Sequence, residues 1–364
     1  MSAPAPLADI AVRDIAQQSA LHPAGPDAAI IAQLGSILFI GGSVLFIGVM
    51  VVCALTLRRA RTDRTIRPLR WIVGAGVLLP LVLLSALLIF GTWRSAQLSR
   101  PSSQHAVKIA VIGHLWWWEI RYSHPDGGED IVLANELRVP VGQPVYLGLN
   151  SADVIHSFWA PALAGKVDMV PGRVHGMTLQ ADRPGVYRAQ CAEYCGEQHA
   201  RMAMHIVAQP PDEFRAWLAA QARPAAAVLP GAGARGAAAP GGAGSTDAAT
   251  ARAEIERGRR AFEEQRCSSC HTIRTAGAQA SASAGSGAAM APAARTATPL
   301  VAPDLTHFGS RLYLGAGAQP NTPRNLAAWI ADPHVAKPGV RMPASADMDA
   351  GTLRALTAYL GSLQ

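Results

Sequence analysis

Twelve residues set the terms for the whole chain: Cys191-Ala-Glu-Tyr-Cys195-Gly-Glu-Gln-His199-Ala-Arg-Met202. Two thiols, an imidazole and a thioether follow one another closely enough for one short folded loop to turn all four side chains towards a point. Soft sulfur ligands with imidazole select copper or zinc over magnesium or calcium. A Cys–His–Met set is the choice of electron-transfer copper, whereas structural zinc is held by Cys and His. A disulfide between Cys191 and Cys195 is the competing use of such a pair in an exported domain. A further ligand is available upstream, where Asp153-Val-Ile-His156-Ser-Phe-Trp159 ends a strand-like run and presents His156 from a neighbouring loop.

The net charge of +7 at first suggests a nucleic-acid partner, but the basic residues form no broad patch with interleaved aromatics, so that class is excluded. Six arginines (Arg58, Arg59, Arg61, Arg64, Arg67 and Arg70) fall in one short segment between two uncharged apolar runs, Ala28–Leu57 and Trp71–Trp93. Each run is long enough to cross a bilayer, and positive charge is retained on the cytoplasmic side. The pair therefore predicts a membrane hairpin with both outer ends exported. Trp71 and Trp93 serve as interfacial anchors, Pro80 should kink the second span, and Gly35, Gly41, Gly42 and Gly48 permit close packing against a larger partner. Cys53 reads as a packed small residue. Residues 1–27 lack a basic stretch leading directly into an apolar core, and read as an extracytoplasmic N-terminal segment rather than a removable signal peptide.

After the second span the period changes. Val107–Gly113, Ile131–Val139, Gln143–Leu149, Gly176–Gln180 and Gly185–Arg188 are short β-rich runs divided by Gly, Pro and Asp turns, which predicts a β-sandwich or barrel. Within it Trp116, Trp117 and Trp118 are consecutive. Strand alternation would place Trp116 and Trp118 on one face and Trp117 on the other, some of them in the core and one free to admit electrons near the metal. From Ala219 to Ala249 the sequence is Ala, Gly and Pro with almost no large apolar residue, and it reads as a flexible linker. The remainder opens with an amphipathic helix that puts Ile255 and Phe262 on one face, followed by Cys267-Ser-Ser-Cys270-His271. C-x-x-C-H is the attachment signature of c-type haem, in which both thiols add to the haem vinyls and His271 ligates the iron. A thioredoxin-like redox pair is the other use of C-x-x-C. Ala276–Thr298 is small residues almost throughout and reads as a disordered loop. A closing helix near Asp349–Leu360 should pack on the opening one.

Both copper-type segments together resemble the CuA site of cytochrome c oxidase subunit II, whose pattern is D-V-x-H followed by C-x-E-x-C-x-x-x-H-x-x-M. The resemblance implies a cupredoxin fold in which Cys191 and Cys195 bridge two coppers and His156 and His199 cap one each. It makes Met202 and the Glu193 carbonyl weak ligands, and takes the Glu193 carboxylate to a magnesium shared with subunit I. In the family's G-H-x-W-x-W pattern Trp116 is the tryptophan through which electrons enter, with Leu115 where Gln is frequent. Lys166-Val-Asp168-Met-Val-Pro171-Gly172-Arg173 resembles the segment that packs against subunit I near haem propionates. Lys337-Pro-Gly-Val-Arg-Met342-Pro343 resembles the Met-Pro segment of class I cytochromes c, which makes Met342 the sixth iron ligand ahead of Met348, Met290, His307 and His334. A Met ligand raises the haem potential. The whole resembles a caa-type subunit II: residues 1–27 outside, 28–94 a two-helix transmembrane hairpin, 95–218 a β-sandwich cupredoxin domain, 219–250 a linker, and 251–364 an all-α class I cytochrome c domain.

That resemblance implies a bacterial inner-membrane oxidase subunit with its copper and haem domains on the periplasmic side. Electrons would pass from a cytochrome c or bc-complex donor through covalent haem c and CuA to a haem in subunit I, where oxygen is reduced. The linker would let the haem domain swing between donor and copper. The alternative partner is a CuA-containing nitric-oxide reductase. A nitrous-oxide reductase needs a histidine-rich copper-cluster domain, which eleven mostly scattered histidines do not supply, and a copper-delivery protein needs no haem domain. Quinol-oxidase relatives lack the copper ligands. The Glu that serves proton uptake at the start of the family's second helix has no counterpart, because no acidic residue lies between Arg64 and Pro80.

Overall fold

The computed structural model describes residues 18–58, 68–98, 107–124, 127–226, 245–274 and 301–364. The N-terminal stretch to residue 17, Arg59 to Arg67, the middle of the expected linker and the small-residue insertion with Met290 lie outside the described residues.

Helix α1, Pro26–Arg58, has Asp27 in its first turn and Arg58 in its last, which complements the helix dipole. Helix α2 begins as Pro68–Trp71, widens into π-helical turns over Ile72–Leu78, and continues as Leu79–Leu98. Pro80 explains the widening: its ring crowds the carbonyl four residues back and it has no N–H to give. Leu79 N–H instead reaches Gly74 O, five residues back. Phe39, Phe46, Leu84, Leu88 and Ile89 are all exposed along the two helices, as befits spans whose solvent is lipid. Arg94 donates to the side-chain carbonyl of Gln33 and ties the pair together.

The chain then builds ten strands: β1 Val107–His114, β2 Trp117–Tyr122, β3 Ile131–Ala134, β4 Glu136–Pro140, β5 Val145–Ser151, β6 His156–Trp159, β7 Lys166–Met169, β8 His175–Leu179, β9 Gly185–Cys191 and β10 Ala203–Gln209. They form two five-stranded sheets, β3-β2-β1-β5-β8 and β4-β10-β9-β6-β7, packed face to face. Ile109, Val111, Leu147 and Leu149 from one sheet meet Leu137, Phe158, Tyr187 and Ile206 from the other in a shared core. The single run expected over 131–139 is two strands in different sheets. Asn135 at φ 63° breaks it, and its side-chain oxygen accepts from Trp118 N–H at 2.9 Å, an adaptation open to Asn in the left-handed region. Helix α3, Pro211–Gln221, closes the open end by burying Phe214 and Leu218 beside Tyr122.

The hairpin and the sandwich meet at one end. Ala24 N–H donates to Ala162 O at 2.7 Å, Asp182 N–H to Ala24 O at 2.8 Å, and Ala28 N–H to Leu163 O at 3.2 Å. Gly25 is needed there, because a Cβ would lie 2.3 Å from Gln180 O.

The last module is α4 Ser245–Glu264, β11 Tyr313–Leu314, β12 Gln319–Pro320, α5 Pro323–Ala331, α6 Pro333–Ala336 and α7 Ala350–Ser362. Thr322, Asp332 and Asp349 cap α5, α6 and α7 by accepting from backbone N–H groups of their first turns. Ile255 and Phe262 of α4 are buried against Leu356, Tyr359 and Leu360 of α7, and Phe262 meets Tyr359 edge-on at 6.0 Å. The segment expected as a linker over 219–250 is structured at both described ends. Helix α3 runs to Gln221, α4 starts at Ser245, and Ala225 N–H donates to Arg274 O at 3.0 Å.

Gly258 sets how closely α4 and α7 cross, because a Cβ there would lie 1.9 Å from Ala355 O, and that atom is backbone and cannot yield. Gly258→Ala is expected to force the helices apart and destabilise this module by about 1–3 kcal/mol, the cost of overpacking a filled core. Thermal unfolding followed by helical circular dichroism checks it, with the β-sheet signal as the internal reference.

Candidate metal centre

The loop between β9 and β10 folds so that its sulfurs converge. Cys191 Sγ and Cys195 Sγ are 3.7 Å apart, His156 Nδ1 is 3.8 Å from Cys191 Sγ, and His199 Nδ1 is 3.7 Å from Cys195 Sγ. Met202 Sδ is 3.9 Å from Cys195 Sγ, and the Glu193 carbonyl oxygen is 3.1 Å from Cys191 Sγ. Ligand atoms of His156, Cys191 and Cys195 all lie within 4.8 Å of one another, and all three side chains are buried. A disulfide needs sulfurs near 2.05 Å, so this pair is spaced for something between them. Soft donors facing a common point fit a copper pair in type and number.

Each donor is aimed by its fold. His156 opens β6 and its Nε2 bonds Asp153 Oδ1 at 2.8 Å, which leaves Nδ1 turned to the sulfurs. Burial opposes a charge on His156, but the Asp153 bond and the Cys191 contact outweigh it and raise its proton affinity. Gly113 in β1 leaves room for the ring, since a Cβ would come within 2.7 Å of it. The two thiols titrate as a pair. The hydrogen bond with Cys195 holds Cys191 well below the usual thiol range, and the same bond pushes Cys195 up. The Glu193 carboxylate is partly exposed and lies 3.9 Å from Lys166 Nζ.

Trp116 lies at the turn before β2 yet packs against the same core as Trp118, while Trp117 joins a separate cluster with Ala134 and Ala316. Trp118 is fully buried beside His156 and Phe158. Trp117 stacks on His114 at 4.2 Å, and the Nε2 of that histidine bonds Glu119 at 2.8 Å. Trp116 is half-buried, and its Nε1–H donates to Cys195 O at 2.8 Å. Gly196 lets the indole approach the loop closely, a Cβ there being 3.1 Å from the ring at φ +110°.

In the last module Cys267 and Cys270 are free thiols, half-buried and exposed respectively. His271 Nδ1 donates to Pro303 O at 2.8 Å, which fixes the ring and leaves Nε2 for a metal. Burial, partly opposed by that bond, lowers the proton affinity of His271 and keeps it neutral, the state that ligates. The donor set of two unpaired thiols and an oriented neutral imidazole fits haem c. Met342 is half-buried in the segment between α6 and α7. Among its rivals, His307 is committed to Arg223 O at 3.0 Å, and Met348 packs on the module's core.

The two modules are in contact, which the expectation of a swinging domain did not foresee. Ala203 N–H donates to Ala316 O at 3.0 Å, and His205 stacks on Tyr313 at 3.7 Å with planes 7° apart. Burial pulls His205 down to about 4, so it stacks as a neutral ring. Glu136 holds Arg138 at 2.8 Å and accepts from Leu312 N–H at 2.8 Å with its other oxygen. Lys337 is 2 % exposed and donates to Trp116 O at 2.7 Å and Gly315 O at 3.3 Å. Asp153, Gly113 and Lys337 are the residues that motif reading left without a role. Asp153 stands inside the quoted segment beside its partner His156, whereas the partners of Lys337 lie elsewhere in the chain.

Residues 127–209 match the family "Cytochrome C oxidase subunit II, periplasmic domain", and residues 255–364 match "Cytochrome c". Cytochrome c oxidase subunit 2 of Alkalihalophilus pseudofirmus is 32% identical over 369 residues, covering 95% of this chain and 91% of that one. The Bacillus subtilis protein of the same name is 30% identical over 247 residues, covering 66% of this chain and 57% of that one. Among solved structures, the periplasmic domain of subunit II of cytochrome oxidase from Bradyrhizobium japonicum is 30% identical, covers 34% of this chain and 96% of that one, and has a TM-score of 0.31.

Asp153→Asn should leave the sandwich folded and weaken copper retention about 10–100-fold, the usual cost of losing the partner that orients a ligating histidine. Competition against a chelator, read by copper remaining bound, checks this. Retention equal to wild type would show that Asp153 does not orient His156.

Proposed function

The chain belongs to the cytochrome c oxidase subunit II family, and from that membership we propose that electrons from a cytochrome c or bc-complex donor enter the oxidase on this polypeptide, which carries both a haem c and a binuclear copper centre on the way to subunit I. When bound, both groups would supply one-electron chemistry, and the buried, pre-positioned donors of the loop would let the charge change with little movement of the protein. Cys267, Cys270, His271 and Met342 would hold the haem, the first two covalently. Cys191, Cys195, His156, His199, Met202 and the Glu193 carbonyl would hold copper. The partly exposed Glu193 carboxylate is the group that would reach a magnesium at the boundary with subunit I.

The observation that carries this reading is the hydrogen bond from Trp116 Nε1–H to the carbonyl of Cys195. It couples a half-buried aromatic directly to the residue that supplies a thiolate. Around it the chain's residues do three things. Trp118, Phe158 and Met202 keep water from the sulfurs; the Asp153 bond fixes the tautomer of His156; Gly113 and Gly196 let ring and loop close on one another. The two apolar helices anchor the chain in a membrane, and the Ala24, Ala28 and Asp182 bonds hold the sandwich at the end where α1 begins. With the arginines cytoplasmic, that end is the periplasmic face of a bacterial inner membrane.

The full chain, purified with its oxidase partners after copper and haem loading, should give an EPR signal of mixed-valence copper split by two equivalent nuclei, with a c-type α-band on reduction. Haem absorption without that copper signal would contradict the relay.

A further inference from the structure

Among the described residues of the last module, Lys337 is the least exposed charged residue. Its side chain is 2 % exposed, and it is the last residue before Pro338-Gly339, five positions ahead of Met342. Its ammonium does not face a carboxylate. It donates to two backbone carbonyls, Trp116 O of the sandwich at 2.7 Å and Gly315 O of its own module at 3.3 Å. Burial pulls this ammonium down to about 7, with the nearby Cys195 thiol opposing the shift. Burying a lysine for packing alone is unfavourable, and an aliphatic residue would serve better there. The expense is explicable if the contact fixes a position.

What it fixes is Trp116. The same residue gives its indole N–H to Cys195 O and takes the Lys337 N–H on its own carbonyl. Lys337 is thus joined through one residue to the loop that carries the sulfurs. The surrounding contact is built rather than incidental. Gly317, at φ +78°, leaves only 3.0 Å between a would-be Cβ and the Cβ of Ala203. Ala316 is 1 % exposed and packs with Trp117 and Ala134 of the sandwich. The Glu136–Leu312 bond and the His205–Tyr313 stack complete it.

We propose that Lys337 is a positioning residue that pins the cytochrome module to the backbone of Trp116, so that the haem module is held docked on the tryptophan where electrons enter instead of visiting it. This rests on the relay reading above. The docked arrangement makes the internal transfer a fixed-distance event and leaves the outer surface of the cytochrome module to the external donor.

The test uses the full chain in its loaded oxidase complex, with Lys337→Met, Lys337→Gln and, at a separate point of the interface, Tyr313→Ala. Two readouts are taken. Hydrogen exchange at 312–318 and 336–340 reports docking. A flash photoreductant that places one electron on the haem reports the rate at which that electron leaves for copper, with no bond or proton changed. Lys337→Met should expose both segments to exchange roughly tenfold faster and slow the internal transfer about 10–100-fold, while the spectra of both centres stay those of wild type. Lys337→Gln, which can still donate to one carbonyl, should fall between. Tyr313→Ala should loosen exchange at 312–318 and slow transfer with Lys337 intact. Unchanged exchange and transfer in Lys337→Met would overturn the proposal, as would slowed transfer with exchange unaltered, since Lys337 would then act other than by position. Absence of either centre's spectrum in the wild-type complex would instead strike the relay reading.

Discussion

Two thiols held 3.7 Å apart in a buried loop are an unstable proposition by themselves. They can oxidise to a disulfide, or one can ionise and be left uncompensated out of water. The end of the sandwich answers both hazards. The Glu193 carbonyl and the ring of His156 hold Cys191, the turn at His199 and Met202 holds Cys195, and neither sulfur can close on the other without dragging its loop. Trp118 and Phe158 make the floor dry, so the negative charge that a metal would neutralise has no water to fall back on. The fold therefore presents a site whose chemistry is completed by soft cations. The strands matter chiefly because they bring residues 153–156, 191–202 and 113–118 to one end.

Outside that loop, two buried charges of the sandwich, Glu136 and Arg138, reach across to the cytochrome module. Glu136 and Arg138 are buried together, and Glu136 reserves one oxygen for the backbone of Leu312. Lys337 crosses in the opposite direction to the backbone of Trp116. Charged groups donating to or accepting from backbone are directional and cannot be swapped for a neighbour of like charge, which favours one docked pose over a smear of close approaches. Ala316 and Gly317 supply the small apolar contact between them.

The parts of this arrangement that are local in sequence could be read there. The ligand loop is twelve contiguous residues, the membrane runs declare themselves by length, and the Ile255/Phe262 face foretold the packing of α4 on α7. The parts that depend on partners far along the chain could not. Lys337 and Trp116 are 221 residues apart, Glu136 and Leu312 176, and no periodicity connects such pairs. Asn135 divided an apparently continuous strand because a side-chain bond to Trp118 stabilises its left-handed backbone. Trp116 and Trp118 pack on the sandwich core and Trp117 on a separate cluster, as alternation suggested, although Trp116 itself stands in the turn before β2. Helix α3 was legible from Pro211-Asp-Glu and the Phe214/Trp217/Leu218 spacing, but was passed over beside the small-residue stretch that follows it.

A docked cytochrome module and a swinging one differ in what limits the internal electron step, and solvent viscosity separates them. The measurement is the rate of haem-to-copper transfer in the wild-type complex after flash reduction, across a glycerol series at constant ionic strength. A docked module predicts a rate indifferent to viscosity, because no domain has to diffuse. A rate that falls in proportion to viscosity would mean that the module travels to Trp116 for each electron, and would contradict the account.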